Sequence, residues 1–304
     1  MNQAVEIQNL KVVYGKSFEA VKNLNLSIQE GEFFGLLGPN GAGKTSVISS
    51  ITGLLDVKFG SIQVFGYPAA SIEAKRLIGV VPQETVHHGF FGVEEVLHFM
   101  SGYYGIWKNS KRIDYLLDRL QLNDCRKKKV SQLSGGMKRR LSIAKALVHS
   151  PKLLLLDEPS AGVDIELRAI LWDFMRELNR EGMTILLTTH YLEEAERLCG
   201  RIAIMDHGKL LALDNTRDLL FEKTQKILKL KVNLSQNEID LSPCRYPASF
   251  AGDWIEIKIP GKVSVGEVLR DMKLPLEKIT DVQVEEGALE EAFLKIIRSS
   301  EAQV

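Results

Sequence analysis

Apolar positions in the first 37 residues fall in short β-branched runs, Val5 to Tyr14, Val21 to Ile28 and Phe33 to Leu37, separated by Tyr-Gly and Glu-Gly turns. Runs of that length and make-up predict a strand-rich lobe. A helix is predicted from about Gly43 to Leu54. Between 92 and 122 the spacing changes: Val93, Val96, Leu97 and Met100, then Ile113, Leu116, Leu117 and Leu120, recur three and four apart. That period predicts an inserted helical subdomain. From 135 to 213, helical patterns at Gly135–His149, Ile165–Arg180 and Leu192–Cys199 alternate with apolar strands at Leu153–Leu156, Thr184–Leu187 and Ile202–Met205. This is the order of parallel βαβ units. After about Glu222 the pattern changes again, with strands predicted at Ile227–Val232, Trp254–Ile259 and Ile279–Val284 and helices near Val265–Met272 and Leu289–Arg298, enough for a small α+β appendage over 223–304. The stretch from Ser242-Pro243 to Tyr246-Pro247 reads as loop.

Composition narrows the partners. The chain has 304 residues, 45% hydrophobic and 26% charged, with 39 basic and 39 acidic side chains that cancel. That length suits one large domain and a small one, and the charge balance provides no global field toward nucleic acid or an acidic membrane. Cys125, Cys199 and Cys244 are scattered and lack metal-ligand spacing, so reduced thiols in a cytosolic compartment are expected. The start, Met-Asn-Gln-Ala-Val-Glu, lacks a secretory pattern, and no apolar run approaches the ~18 residues of a membrane span. Work at a membrane would then require a second polypeptide to supply the span. His87-His88 reads as a surface loop rather than a metal site, and Arg126-Lys-Lys-Lys129 as a solvated loop.

Chemistry enters with residues 38–46, Gly-Pro-Asn-Gly-Ala-Gly-Lys-Thr-Ser. The glycines Gly38, Gly41 and Gly43 allow a tight turn that aims main-chain N–H groups at phosphate oxygens, and the following helix adds its positive end. In such a loop Pro39, Asn40, Ala42 and Ser46 lie against the nucleotide, Lys44 reaches the β- and γ-phosphates, and Thr45 offers a hydroxyl to Mg²⁺. Residues 153–159, Leu-Leu-Leu-Leu-Asp-Glu-Pro, predict a buried strand that delivers two acids to its carboxyl end, where open α/β folds bind ligands. Asp157 would serve the Mg²⁺ shell, directly or through water. Glu158 is placed to polarise the water that attacks the γ-phosphate. Leu133-Ser-Gly-Gly-Met137 is a second kind of phosphate site, in which Ser134 caps a helix beginning at Gly135 and Gly136 and leaves its N–H groups directed outward.

Gly38–Thr45, Gln83, Leu133–Met137, Leu153–Pro159, Ser160-Ala-Gly-Val-Asp164 and His190 occur in the order and rough spacing of the ATP-binding-cassette (ABC) ATPases. The resemblance covers about residues 4–222. Ser101-Gly-Tyr-Tyr-Gly, Gly136-Met-Lys-Arg-Arg-Leu and Thr188-Thr-His-Tyr-Leu-Glu-Glu-Ala-Glu are similar to the branch that powers ABC-2-type exporters, which includes daunorubicin-resistance and nodulation-factor export ATPases. It implies an α/β phosphate-loop core with an antiparallel β lobe, a helical subdomain over about 84–150 and an ATPase domain over 1–222. It also implies that Tyr14 stacks on adenine, with a strand-end aromatic covering the core edge as the plainer alternative. Gln83 would touch Mg²⁺ and link the site to the helical subdomain, His190 would contact the γ-phosphate, and Asp164 would cross a dimer interface. Ser134 would meet ATP held by a second copy of the chain, arranged head to tail, while a separately encoded ABC-2-type permease would hold this subunit on the cytoplasmic face of the membrane.

Three positions depart from the pattern: Met137 replaces the usual glutamine, and Ser160 and Val163 the commoner threonine and leucine. A soluble cassette protein acting on ribosomes or DNA would carry two cassettes or a long arm, and a non-catalytic scaffold would have lost Lys44, Glu158 or His190. The aromatic group Phe90, Phe91, Phe99, Tyr103, Tyr104 and Trp107 is expected to be mostly core, with some of it lining a groove for a permease helix.

Overall fold

The computed structural model describes residues 2–15, 17–84, 89–160, 165–233, 239–272 and 276–301. The chain divides into two compact units, Met1–Leu213 and Asp214–Val304. In the first, β1 (Gln3–Tyr14), β2 (Phe18–Gln29), β4 (Phe59–Val64) and β5 (Tyr67–Pro68) form an antiparallel sheet in the order β2-β1-β4-β5. Inward residues of β1 and β2 such as Val5, Ile7, Leu10, Leu24 and Ile28 are buried. They share one core with Phe34 and Leu36 of β3 (Phe33–Leu37) and with Val47, Ile48 and Ile51 of α1 (Lys44–Ile51).

The central sheet runs β10-β9-β3-β8-β7-β6. Its members are β6 (Ile78–Val81), β7 (Leu153–Asp157), β8 (Thr184–Thr189), β9 (Arg201–Asp206) and β10 (Lys209–Asn215). Strands β6 to β9 pair with one another and with β3 in parallel. β3, β7 and β8 are buried along their whole length, as continuous apolar runs in a parallel sheet must be. Register places Asp157 beside Thr188 and Leu37 beside Thr189, so the carboxyl ends of β3, β8 and β7 lie side by side.

Helices α2 (Ile72–Leu77), α3 (Val93–Tyr103), α4 (Ser110–Arg119), α5 (Gly135–Leu147), α6 (Ile165–Arg180) and α7 (Leu192–Leu198) complete this unit. In α3 the buried stripe is Val93, Leu97 and Ser101, each four residues apart. Phe99 and Tyr103 therefore stand on another face, 60% and 83% exposed, and Phe90 and Trp107 are more than 80% exposed. The expectation that this aromatic group is mostly core is corrected: aliphatic residues fill the subdomain interior and leave Phe90, Phe91, Phe99, Tyr103 and Trp107 exposed, with Tyr104 half-buried.

In the second unit β11 (Gln225–Val232), β12 (Ala248–Ala251), β13 (Trp254–Pro260) and β14 (Ile279–Glu285) make an antiparallel sheet ordered β12-β13-β11-β14. Leu228, Leu230, Ile255, Ile257 and Ile259 pack on Val268 and Met272 of α9 (Val265–Met272). α8 (Thr216–Lys223) belongs to this unit, where it packs on α10 (Leu289–Glu301).

Candidate functional site

The segment between β3 and α1 turns through left-handed backbone, with φ of 156° at Gly38, 82° at Gly41 and 104° at Gly43. A side chain at Gly38 would lie 2.3 Å from the Met205 carbonyl oxygen and one at Gly43 2.4 Å from that of Ala20, so glycine is required twice over at both. At Gly41 a Cβ would meet open space. This loop, with Tyr14, Phe18, Ala20, Gln83 and Glu158, lines a cleft of about 350 Å³. Lys44 is buried, and its ammonium donates to the carbonyls of Gly38 (2.7 Å) and Pro39 (3.1 Å). Burial pulls its pKa down from the usual lysine range, while the charges of Glu158 and Asp157 act in the opposite direction. Tyr14 is 43% exposed at the cleft edge and its hydroxyl lies 3.2 Å from Ser46 Oγ.

Across the cleft, strand ends hold the acids. Asp157 accepts from Thr45 Oγ1 at 3.3 Å through Oδ2 and from Thr188 Oγ1 at 2.5 Å through Oδ1. Glu158 is buried and has a left-handed main chain, φ 50°, a conformation that non-glycine residues adopt sparingly and that clusters at functional sites. Its N–H donates to the Thr188 carbonyl at 2.9 Å. Gln83 Nε2 donates to Glu158 Oε2 at 3.0 Å, and His190 Nδ1 lies 3.3 Å from the same oxygen. Both contacts fall on Oε2.

Ser134 caps α5 by accepting from the Met137 N–H at 3.3 Å. Ser134 and Gly135 are exposed, Gly136 partly so, and the first turn carries no acid. This helix start is free to receive an anion. Ser134, Gly135 and Gly136 are not among the residues that line the cleft of the same chain. Asp164 and His87-His88 lie outside the described residues.

Two buried side chains beneath the site were not singled out from sequence. Arg139 of α5, 5% exposed, donates to main-chain oxygens of Pro82, Gln83, Asp157, Glu158 and Pro159. Glu194 of α7, 1% exposed, accepts from Ser160 Oγ, Trp172 Nε1 at 3.1 Å and Thr189 Oγ1 at 2.6 Å. Thr189 Oγ1 accepts in turn from the Tyr191 N–H at 2.9 Å, which fixes the turn carrying His190. In the Gly-Gly-Met-Lys-Arg-Arg run only tertiary packing reveals which of the cations turns inward. Glu194 stands in the acidic stretch Glu193-Glu194-Ala195-Glu196 with the same ambiguity.

Residues 21–161 match the family described as "ABC transporter". The linearmycin resistance ATP-binding protein LnrL of Bacillus subtilis is 42% identical over 219 residues, which covers 71% of this chain and 70% of that protein. The chain belongs to the ABC transporter family. It carries the ABC ATPase domain, an enzyme of ATP hydrolysis coupled to transport. The Nod factor export ATP-binding protein I of Cupriavidus metallidurans is 38% identical over 224 residues, covering 72% of this ABC ATPase and 74% of that relative. Among solved structures, an ATP-binding subunit of an ABC transporter superposes with a TM-score of 0.67 at 29% identity, over 71% of this chain and 91% of that one. CbiO1 of Clostridium perfringens, part of the cbiONQ complex, gives 0.65 at 28% identity, over 73% of this chain and 92% of CbiO1. The α/β fold expected for an ABC ATPase is thus the fold found. Among the described residues no helix is long and apolar enough to cross a membrane.

Proposed function

We propose that this ABC ATPase is the hydrolytic subunit of an ABC-2-type exporter and works as a head-to-tail pair of chains on a separately encoded membrane permease. The observation that carries the hydrolytic role is the Glu158 carboxylate, held by Gln83 and His190 at one oxygen beside the phosphate loop. ATP enters with adenine against Tyr14 and its phosphates on the N–H groups of residues 40–46. Lys44 exchanges its bonds to Gly38 and Pro39 for β- and γ-phosphate oxygens. Glu158 takes the proton of the attacking water, and His190 meets the γ-phosphate from the end of β8.

A magnesium ion suits this donor set. Thr45 Oγ1, the Asp157 carboxylate and the Gln83 amide oxygen are hard oxygen ligands, and the described residues contain no group of three His, Cys, Asp or Glu side chains that would hold a metal alone. Phosphate oxygens would complete the shell, and the ion would neutralise charge that develops on the phosphates.

The second copy is supported by the exposed cap of α5. Ser134, Gly135 and Gly136 form an anion-binding helix start that the chain's own cleft does not use, so it serves the γ-phosphate of a partner chain. The permease reading draws on the export and resistance roles in the relatives' names and on a cavity of about 750 Å³ lined by Leu54, Ile72, Tyr103 and Tyr104 among others. Phe90, Phe91 and Trp107 are exposed as well, and these apolar groups would take a short helix from the membrane partner and keep the subunit on the cytoplasmic face. Purified protein should hydrolyse ATP, and detergent extracts should yield the permease with it. Glu158→Gln should keep ATP binding and lose turnover, and hydrolysis near the wild-type rate in that variant would remove the assigned base. Paired substitutions at Phe90 and Phe91 that left membrane recruitment unchanged would remove the docking face.

A further inference from the structure

We propose that Arg139 is a positioning residue that ties the exposed phosphate-binding start of α5 to the hydrolytic carboxylate of its own chain, and so couples the two ATP sites of a dimer. The inference rests on the shared-site reading above and adds the residue that transmits between the sites.

A guanidinium has five N–H donors in a fixed plane. Here all five are engaged: Nε with the Pro159 oxygen at 2.7 Å, Nη1 with those of Pro82 (2.5 Å) and Gln83 (3.2 Å), Nη2 with those of Asp157 (2.8 Å) and Glu158 (2.6 Å). The five acceptors belong to two segments, residues 82–83 and residues 157–159, which flank the Gln83 to Glu158 bond. Burial disfavours the charged form of Arg139, and the nearby carboxylates of Asp157, Glu158 and Glu194 counter that penalty. Glu158 is gripped on both sides of its left-handed turn, by Thr188 at its N–H and by Arg139 at its carbonyl.

Arg139 stands five residues after Ser134 on one rigid helix, roughly 7.5 Å along its axis at 1.5 Å per residue. The exposed cap reads the partner's ATP, and the buried fork holds the chain's own base and glutamine. A small shift of α5 on anion binding therefore moves the main chain at Glu158 and Gln83 without any contact between the two nucleotides. Coupling of this kind is a free energy shared by both sites.

Lysine at 139 keeps the charge but offers three donors and no plane, so Arg139→Lys is the direct test, with Arg139→Gln beside it. Initial rates across ATP concentration should show kcat reduced about tenfold or more and a Hill coefficient that falls toward one. Affinity of the same preparations for a fluorescent ATP analogue, measured at protein concentrations too low for pairing, should stay within about twofold of wild type. Wild-type kcat and cooperativity in Arg139→Lys would overturn the proposal, as would parallel loss of affinity and turnover, which marks a merely structural residue. ATP-driven pairing of Glu158→Gln protein that retains Arg139 is followed alongside. Its absence refutes the shared site itself, whereas pairing together with unaltered cooperativity in Arg139→Lys refutes only the role of Arg139.

Discussion

The two sides of the proposed nucleotide cleft are built from different materials. The phosphate loop is main chain: its shape comes from φ values open to glycine, and two of its glycines touch neighbouring carbonyls so closely that no Cβ fits. The strand ends opposite are side chains in layers: Asp157 on Thr188 and Thr45, Glu158 on Gln83 and His190, and beneath them Arg139 and Glu194. The first side tolerates little change in shape, while the second tolerates isosteric changes in shape but not in chemistry.

That contrast predicts opposite signatures in binding and turnover. The largest effect belongs to Glu158→Gln, where the shape is kept and the base is lost. Turnover should fall about 10²- to 10⁴-fold with nucleotide affinity unchanged, measured by phosphate release and by titration with an ATP analogue. Gly43→Ala should do the reverse and cost affinity first, because φ 104° and the Ala20 carbonyl at 2.4 Å force the loop to move. Gly41→Ala, at φ 82° in open space, should cost only the roughly 1–2 kcal/mol of a left-handed alanine, and equal losses at both positions would break the comparison.

Thr188→Val removes the donor to Asp157 Oδ1. An unsatisfied buried acceptor costs about 1–3 kcal/mol, so the Mg²⁺ concentration for half-maximal activity should rise before the affinity for nucleotide alone changes. The smallest effect lies outside the cleft. His149 is buried against Tyr104, ring centroids 3.7 Å apart, and bonds the Ile78 carbonyl at 3.0 Å. Burial pushes its pKa below the usual histidine value, with the Ile78 carbonyl opposing and Arg112 reinforcing the shift. The unfolded chain therefore binds the proton first: His149 contributes stability above about pH 6.5 that declines as pH falls toward its folded value, at no more than about 1.4 kcal/mol per pH unit. His149→Phe should flatten that limb in thermal unfolding between pH 7.5 and 5.5 and leave kcat nearly unchanged.

The same contrast explains what the sequence discloses. The phosphate loop is contiguous, and its residues act through the main chain next to their own positions, so eight letters suffice to place it. Asp157 and Glu158 are legible because a continuous apolar strand leads to them. The layer beneath is assembled from residues far apart in the chain, Arg139 with Pro82 and Glu194 with Ser160, and no local period distinguishes an inward cation from a solvated one. The exposed rings at Phe90, Phe99 and Tyr103 were hidden for a related reason: a helical period locates an apolar stripe but does not say that Val93, Leu97 and Ser101 occupy the interior first. Strand β6, four residues at the edge of the central sheet, is too short to stand out from the helical pattern on either side.

The central claim is that one chain's phosphate loop and another chain's α5 cap close on the same ATP. Light scattering of Glu158→Gln protein with Mg²⁺ and ATP tests it most directly, because blocked turnover lets the closed form accumulate. The account predicts an ATP-dependent rise to twice the 34.1 kDa chain mass that disappears when Ser134→Arg is added to the same chain. A mass that ignores ATP although ATP is bound, or an ATP-dependent dimer that survives Ser134→Arg, would contradict it.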